Sequence, residues 1–385
     1  MYKLTFSLIL LWAILTGCDQ PLTQGTFPFA SSSRLAVGTV PGSVEIADLN
    51  GDGKRDIVVA NSASSDLTIL LGDGRGGFNP APGSPIAAGE MPNDIAIADY
   101  NGDGKLDLAI VNHESTHVTV FLGNGRGEFA RAPQSPITVQ SKPHAHGVTA
   151  GDFNGDQKLD LVVESWQNNQ VEVLFGKGDG TFTTPGPLLS VGRRPYQRLR
   201  AGDFNNDGMA DIVTTNSEGD SVTILLGGRN GFKESAGSPF PTGKTPFAVV
   251  VGDLNQDRNL DLAVVNYSGH PTELKNDGIT LLLGDGHGGF KVVKGSPFAT
   301  GAAPTRIAIG DINGDGFPDV AASNSESQNV TILMGSSKGD FSRTYKIPTG
   351  REPKGIAIGD LNGDGKAEIV VANAQDNDVT LILGK

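Results

Sequence analysis

Asp48-Leu49-Asn50-Gly51-Asp52-Gly53-Lys54-Arg55-Asp56 is the stretch from which the rest of the chain is read, because its frame returns at Asp99, Asp152, Asp203, Asp253, Asp311 and Asp360. The period is about fifty residues, and a repeat of that length is a supersecondary unit that buries its apolar faces only by stacking on its neighbours. Each copy is preceded by a short apolar run such as Ile307-Ala308-Ile309-Gly310 and followed by another, such as Ile57-Val58-Val59-Ala60. These β-branched runs have strand length and are bounded by turn residues. A polar loop leads to a third run, as in Leu67-Thr68-Ile69-Leu70-Leu71 or Val118-Thr119-Val120-Phe121-Leu122. A glycine-rich turn and a phenylalanine follow: Phe78, Phe129, Phe182, Phe232, Phe290 and Phe341. A more irregular stretch, often containing Ser-Pro, completes the unit. Four strands and no helix at this period predict propeller blades, so the expectation is an all-β, seven-bladed β-propeller of four-stranded blades over residues 25–385.

The last copy has no fourth strand after its third run. At the other end, Gly25-Thr26-Phe27 through Gly38 resembles the inter-repeat segment Gly127-Glu128-Phe129 through Gln140, although no repeat precedes it. This N-terminal strand is expected to pair with the last run near 379–384, joining the seventh blade and leaving no open edge there.

Composition narrows the classes. A single cysteine excludes a disulfide framework, an iron–sulfur cluster and a thiolate zinc site. With 30 basic against 43 acidic residues and a net charge of −13, the summed field repels phosphate backbones and anionic membrane surfaces, so nucleic acid is a disfavoured partner and cations are favoured ones.

Met1 to Lys3 is a short positive start, and Leu4 to Thr16 is an apolar run too short for a comfortable membrane span, which reads as a signal peptide. It ends Leu15-Thr16-Gly17-Cys18, which resembles the bacterial lipobox, and the sole cysteine stands where lipidation needs a thiol. Residues 1–17 are therefore expected to be a lipoprotein signal peptide, Cys18 the acylated N-terminus and residues 18–24 a tether. Several acyl chains, each gaining about 0.8 kcal/mol per buried CH₂, would hold the protein at a membrane of a bacterial cell envelope, on the exported side. Asp19 resembles an inner-membrane retention signal of enterobacterial lipoproteins; that rule varies among bacteria, and the choice of membrane stays open.

The nonapeptide frame is Asp-x-Asn-x-Asp-Gly-x-x-Asp, with Glu368 at the last position of the seventh copy. Oxygen ligands at alternate positions of a tight loop suit calcium, which takes six to eight oxygens at roughly 2.3–2.6 Å. Side chains one, three, five and nine can converge, and the carbonyl of position seven can join them. The candidate sets are Asp48, Asn50, Asp52, Lys54 and Asp56; Asp99, Asn101, Asp103, Lys105 and Asp107; Asp152, Asn154, Asp156, Lys158 and Asp160; Asp203, Asn205, Asp207, Met209 and Asp211. The remaining three are Asp253, Asn255, Asp257, Asn259 and Asp261; Asp311, Asn313, Asp315, Phe317 and Asp319; Asp360, Asn362, Asp364, Lys366 and Glu368. An EF-hand is rejected because it needs flanking helices and a glutamate at position twelve, where the first copy has Val59 inside a strand. The competing reading is a set of polar turns held by Asx hydrogen bonds without an ion. Up to three carboxylates in one nonapeptide repel one another without a cation, which favours calcium as a structural ion.

These loops and the units around them resemble the FG-GAP (VCBS) repeats of integrin α-subunit propellers and many bacterial surface proteins. The resemblance covers almost the whole chain after residue 24 and implies structural calcium and a scaffold or adhesion role. Position six is glycine in five copies, where a left-handed backbone costs little. It is Gln157 in the third and Arg258 in the fifth; strain of roughly 1 kcal/mol, and the extra charge of Arg258, predict weaker binding in those two loops.

Gly72-Asp73-Gly74-Arg75-Gly76-Gly77 and Gly284-Asp285-Gly286-His287-Gly288-Gly289 match the dinucleotide fingerprint by letter, but each lies between two strands with no helix following. They are read as hairpin turns.

In a propeller the first strand of each blade lines the central channel, and the acidic loop joins first to second strand on one face. The opposite face then carries the segments entering the first strand (Asn93, Asp94, His144, His146, Tyr196, Arg198, Phe247, Arg306, Lys354) and the second-to-third loops (His113, His117, Glu164, Trp166, Tyr267, His270). From these, the candidate ligand-binding residues are His113, His117, His144, His146, Trp166, Tyr196, Arg198, Tyr267 and His270. Aromatic rings with polar neighbours suit sugar rings or peptide side chains. Two functional classes follow: a non-enzymatic, membrane-anchored module that binds glycan or protein, or a propeller polysaccharide lyase. In the lyase, a His or Tyr among His144, His146 and Tyr196 abstracts the proton α to a uronate carboxylate that Arg198 neutralises. Fold alone does not choose between them, and the binding module is the preferred reading, with the chain expected to be a monomer.

Overall fold

A computed structural model describes residues 29–140, 145–165, 168–196, 198–267, 278–336 and 339–384. The signal peptide, Cys18, the tether, His144, Trp166 and His270 lie outside the described residues.

The first blade shows how the repeat folds. Its inner strand Pro41–Ala47 enters the acidic turn, the second strand Asp56–Asn61 leaves it, and Asp66–Gly72 and Phe78–Pro80 complete an antiparallel sheet. The inner strands of blades two to six are Pro92–Ala98, Ala145–Gly151, Arg200–Gly202, Pro246–Gly252 and Pro304–Gly310. The seventh blade consists of Pro353–Gly359, Glu368–Asn373, Asp378–Gly384 and, on its outer side, the N-terminal strand Phe29–Ala36. That closing strand is antiparallel to the last one, with Leu35 opposite Val379 and Ala36 opposite Asp378, as the missing fourth strand required. Pro41–Ala47 touches the inner strands of both the second and the seventh blade, so the ring is closed.

The outer strand departs from the simple four-strand count. In blades one, two, four and five it is split into two short pieces that pair with the same third strand, for example Phe78–Pro80 and Ile86–Ala87. A proline with no N–H to donate sits between the pieces at the sheet edge, where a gap in the ladder is tolerated. The Ser-Pro bonds there, such as Ser84-Pro85 and Ser135-Pro136, are cis.

The second strands are buried along their entire length. Each blade is flanked by another on both sides, so these strands read as continuous apolar runs rather than alternating ones. The core is accordingly not central. Among the described residues it forms seven clusters, each between two adjacent blades; Val44, Ile57 and Val59, for instance, pack on Val370, Ala372 and Val379 across the closing junction. A buried asparagine ends the second strand in six blades and donates Nδ2–H to a threonine of the third strand, as Asn61 does to Thr68 Oγ1 at 2.9 Å and Asn373 to Thr380 Oγ1 at 2.8 Å. The third blade breaks this pattern: Glu172 stands in the threonine position and accepts from Gln140 Nε2–H and Gly186 N–H instead.

Candidate functional site

All seven acidic turns lie on one face, and each folds around its first aspartate. In the first, Asp48 Oδ1 accepts the N–H groups of Gly51 (2.8 Å) and Asp52 (3.1 Å), and Oδ2 accepts Gly53 N–H at 2.8 Å. Asn50 Oδ1 takes Asp52 N–H, and Asp52 Oδ1 takes Lys54 N–H. The position-six contact recurs at 2.8–2.9 Å in every copy, on Asp99, Asp152, Asp203, Asp253, Asp311 and Asp360. Gln157 and Arg258 hold it too, at φ 67° and 74°, against 81° for Gly53. A Cβ added to Gly53 would meet nothing within 4 Å, so only the backbone angle favours glycine there. Position four is a second left-handed residue, including Asn206 and Gln256, which the nonapeptide frame did not register.

Position nine faces inward. Asp56 is fully buried; its Oδ2 accepts Leu49 N–H and its Oδ1 accepts Gly72 N–H, both at 2.8 Å. Asp107, Asp160, Asp211, Asp261 and Asp319 repeat this pair of bonds, while the longer Glu368 accepts from Leu361 N–H and Asn362 Nδ2–H. The ninth residue thus ties the turn to the end of the third strand. A Cβ on Gly72 would lie 2.2 Å from Arg55 O, which is why that strand ends in glycine. Burial first, and then the carboxylates at positions five and one, hold Asp56 and Asp107 above the usual range, Asp160, Asp211 and Asp261 at about 6, and Asp319 at about 7. In the first two turns the lysine ammonium of position seven sits on the outer carboxylate, Lys54 Nζ to Asp52 Oδ2 at 3.2 Å and Lys105 Nζ to Asp103 Oδ2 at 3.1 Å. Among the described residues no three His, Cys, Asp or Glu side chains converge as a metal-holding group. The donors of each turn are carboxylate and amide oxygens together with backbone carbonyls, a set that fits a hard cation and no soft one.

The opposite face is organised by the inner strands. Counting back five residues from each acidic turn gives one residue per blade around the channel: Ser43, Asp94, Gly147, Arg198, Ala248, Arg306 and Gly355. Arg198 reaches across this layer. Its Nη2–H groups donate to Ser43 Oγ (2.8 Å) and Glu45 Oε1 (3.0 Å), and its Nε lies 3.2 Å from Asp94 Oδ1, so one side chain of the fourth blade binds the first and second. Arg200 lies 3.7 Å from both carboxylates. Burial raises Glu45 despite both guanidinium groups. Burial, then the Arg198 charge, pushes Arg200 down and Arg306 down to about 9. This cluster separates two cavities. One, of about 360 Å³, opens toward the acidic turns and is lined by Glu45, Thr149 and Arg200. The other, of about 290 Å³, opens on the opposite face beside Asn93, His113, Phe247, Thr305, Arg306 and Lys354.

A row of rings borders that second opening. His113 and His146 have centroids 4.4 Å apart, His146 and Tyr196 4.7 Å, Tyr196 and Phe247 4.9 Å, and Phe247 and Tyr267 5.6 Å. Four of the nine residues singled out in the sequence, His113, His146, Tyr196 and Tyr267, therefore form one arc over blades two to five, linked by Phe247. His146 is buried within it, while His113, Tyr196, Phe247 and Tyr267 are partly exposed. His117 opens the third strand of the second blade, pairs with Thr138 and is not in the arc. Arg198 is 3% exposed and sits below the arc, within the cross-channel cluster. Glu45 and Arg200 were missed in the sequence; aligning the seven inner strands on their acidic turns shows them as the charged residues three positions before the turn.

The profile of the FG-GAP-like repeat matches this chain at residues 48–110, 99–163, 165–214, 203–264, 272–322 and 311–371. Human cartilage acidic protein 1 is 23% identical over 331 residues, which cover 76% of this chain and 49% of that protein. This chain spans less than half the length of the first curated relatives it matches. Among solved structures, BBS1N in complex with ARL6DN superposes with a TM-score of 0.60 at 14% identity, covering 93% of this chain and 96% of that one. An Agrocybe aegerita lectin that recognises non-reducing terminal N-acetylglucosamine superposes at 0.52 with 17% identity, covering 89% and 86%.

Proposed function

Because the chain belongs to the FG-GAP-like repeat family, we propose that it is a binding module that takes its ligand, a glycan, at the channel mouth opposite the acidic turns. The observation that carries this is the arc from His113 to Tyr267 around a cavity of about 290 Å³. A rigid ring of blades holds flat apolar surfaces beside polar groups, the combination that stacks on one face of a sugar and hydrogen-bonds its hydroxyls. The lectin with the same fold offers a precedent for the scaffold. In the lyase alternative Arg198 meets a substrate carboxylate, yet its guanidinium is already engaged by Ser43, Glu45 and Asp94.

The acidic turns serve the scaffold in this reading. Side-chain oxygens of positions one, three, five and nine and the carbonyl of position seven would hold calcium, which neutralises carboxylates that burial and mutual repulsion otherwise disfavour as anions. Ligands assembled only in the folded ring turn binding energy into folding energy. Acylation at Cys18 would place the propeller at a membrane surface.

A glycan array with and without chelator tests the reading. Binding that falls in Tyr196→Ala and Phe247→Ala, with thermal midpoints within a few degrees of the parent, supports it. Binding to sugars that both variants retain moves the site elsewhere. Fewer than three calcium ions per chain by elemental analysis would reject the metal assignment as a set.

A further inference from the structure

We propose that the mouth cavity recognises a carboxylated sugar at the end of a glycan, its carboxylate docking against Arg306 and Lys354. The inference rests on the glycan reading above and adds the sign of charge the ligand must carry.

The repeats supply their own control. At the channel position five residues before the acidic turn, blades three, five and seven carry Gly147, Ala248 and Gly355, so neither the fold nor the ring closure calls for a cation there. The sixth blade nevertheless places Arg306 at that position, 4% exposed, in the wall of the mouth cavity. Burying a guanidinium is costly unless a negative group compensates it. In the channel layers the described residues bring three guanidinium groups, Arg198, Arg200 and Arg306, against two carboxylates, Glu45 and Asp94, and the carboxylates are spanned by Arg198 and Arg200. The local field is therefore positive inside a chain whose net charge is −13. Lys354 of the next blade lines the same cavity. Its ammonium pairs with Glu352 at 3.2 Å, with both side chains about a third exposed, and such a pair holds so little energy that an incoming carboxylate can displace it.

The rest of the wall fits a sugar better than an acidic peptide. Phe247 and His113 offer ring faces, and Asn93, Thr305 and Ser62 offer neutral hydrogen-bonding groups, which match a polyol with one flat face and one charged group. A closed ring of blades admits the end of a chain along its axis, whereas an extended peptide needs an open groove or a free strand edge.

The test is titration calorimetry of the full chain with calcium present, using sodium glucuronate, methyl glucoside and a tetra-aspartate peptide as probes. The expected result is binding of glucuronate over methyl glucoside, weakened by sodium chloride and reduced at least about tenfold in Lys354→Gln and in Arg306→Gln. Lys354 is partly exposed, so its variant remains informative if Arg306→Gln fails to fold. Equal affinity for glucuronate and methyl glucoside overturns the charge inference and leaves the glycan reading standing. Glucuronate binding unchanged in both variants overturns the assignment of these two residues. Binding of the peptide alone overturns the sugar class, and binding of none of the three while the array detects a Tyr196-dependent neutral glycan overturns the carboxylate alone.

Discussion

Replacing Arg198 with methionine distinguishes a side chain that holds the channel closed from one that waits for a ligand. Methionine keeps the length and the apolar stem and removes the charge. Arg198→Gly is the wrong probe, because Arg198 sits at φ 77° and glycine would relieve that backbone and mask the loss. The substitution deletes the bonds to Ser43 and Glu45 and the pair with Asp94. Removing one partner of a buried ion pair costs about 3–5 kcal/mol, because the other charge is left without compensation. Asp94 is fully buried and carries most of that cost, whereas Glu45, at 26% exposure, can turn toward water. Arg200, 3.7 Å from both carboxylates, takes over part of the compensation, which places the expected loss at the lower end, about 3 kcal/mol. Guanidinium unfolding at fixed calcium, with an unchanged slope, measures it. The cycle with Asp94→Leu should then show coupling of at least about 1 kcal/mol, the double variant being less destabilised than the two singles together. A loss below about 0.5 kcal/mol, or strict additivity, would refute the closure role. Unchanged stability with abolished glycan binding would return Arg198 to the ligand site.

Three further outcomes are expected. Deleting residues 1–38 removes the closing strand, the Arg34 pairs with Asp376 and Asp378 and the packing of Leu35 and Val37; the truncated chain should aggregate through the bared edge, and a monomer with an unshifted thermal midpoint would count against ring closure. In chelator-stripped protein the ninth-position carboxylates bind protons more tightly folded, at about 6 for Asp160, Asp211 and Asp261 and about 7 for Asp319, than at their ordinary 3.8. Their penalty is full above the folded value and vanishes below 3.8, so the stripped protein should gain stability from pH 7.5 to 5; with calcium bound, protons compete with the ion and the midpoint should fall over the same window. Scanning calorimetry at the two pH values checks both signs, and a stripped protein that loses stability on acidification contradicts the argument. Gln157→Gly and Arg258→Gly relieve left-handed backbone with no neighbouring atom to accommodate, and each should raise the calcium-loaded midpoint by the equivalent of up to about 1 kcal/mol; a lowered midpoint would show that those side chains contribute contacts of their own.

The period, the blade count and the closing strand were legible in the chain because they depend on local rules. Nonapeptide turns need Asp, Asn and Gly at fixed offsets, strands buried on both faces read as unbroken apolar runs, and a unit without its fourth strand must find it elsewhere. The face opposite the turns was legible for the same reason, since alternate connections of an antiparallel blade exit at opposite ends. Sequence also brought His113, His146, Tyr196 and Tyr267 to one face. That they form a continuous arc through Phe247, and that His117 stays outside it, follows only from the angle between blades. Arg198 shows the limit most plainly: as a sequence position it is a cation at the channel mouth, available to a ligand. Its partners Ser43, Glu45 and Asp94 are more than a hundred residues away in the chain, and closing the ring brings them across the channel within reach of one guanidinium. The ninth-position aspartate is the same lesson within one repeat, because its second bond runs to a glycine sixteen residues on, Asp56 to Gly72, and exists only once the third strand has paired beside it.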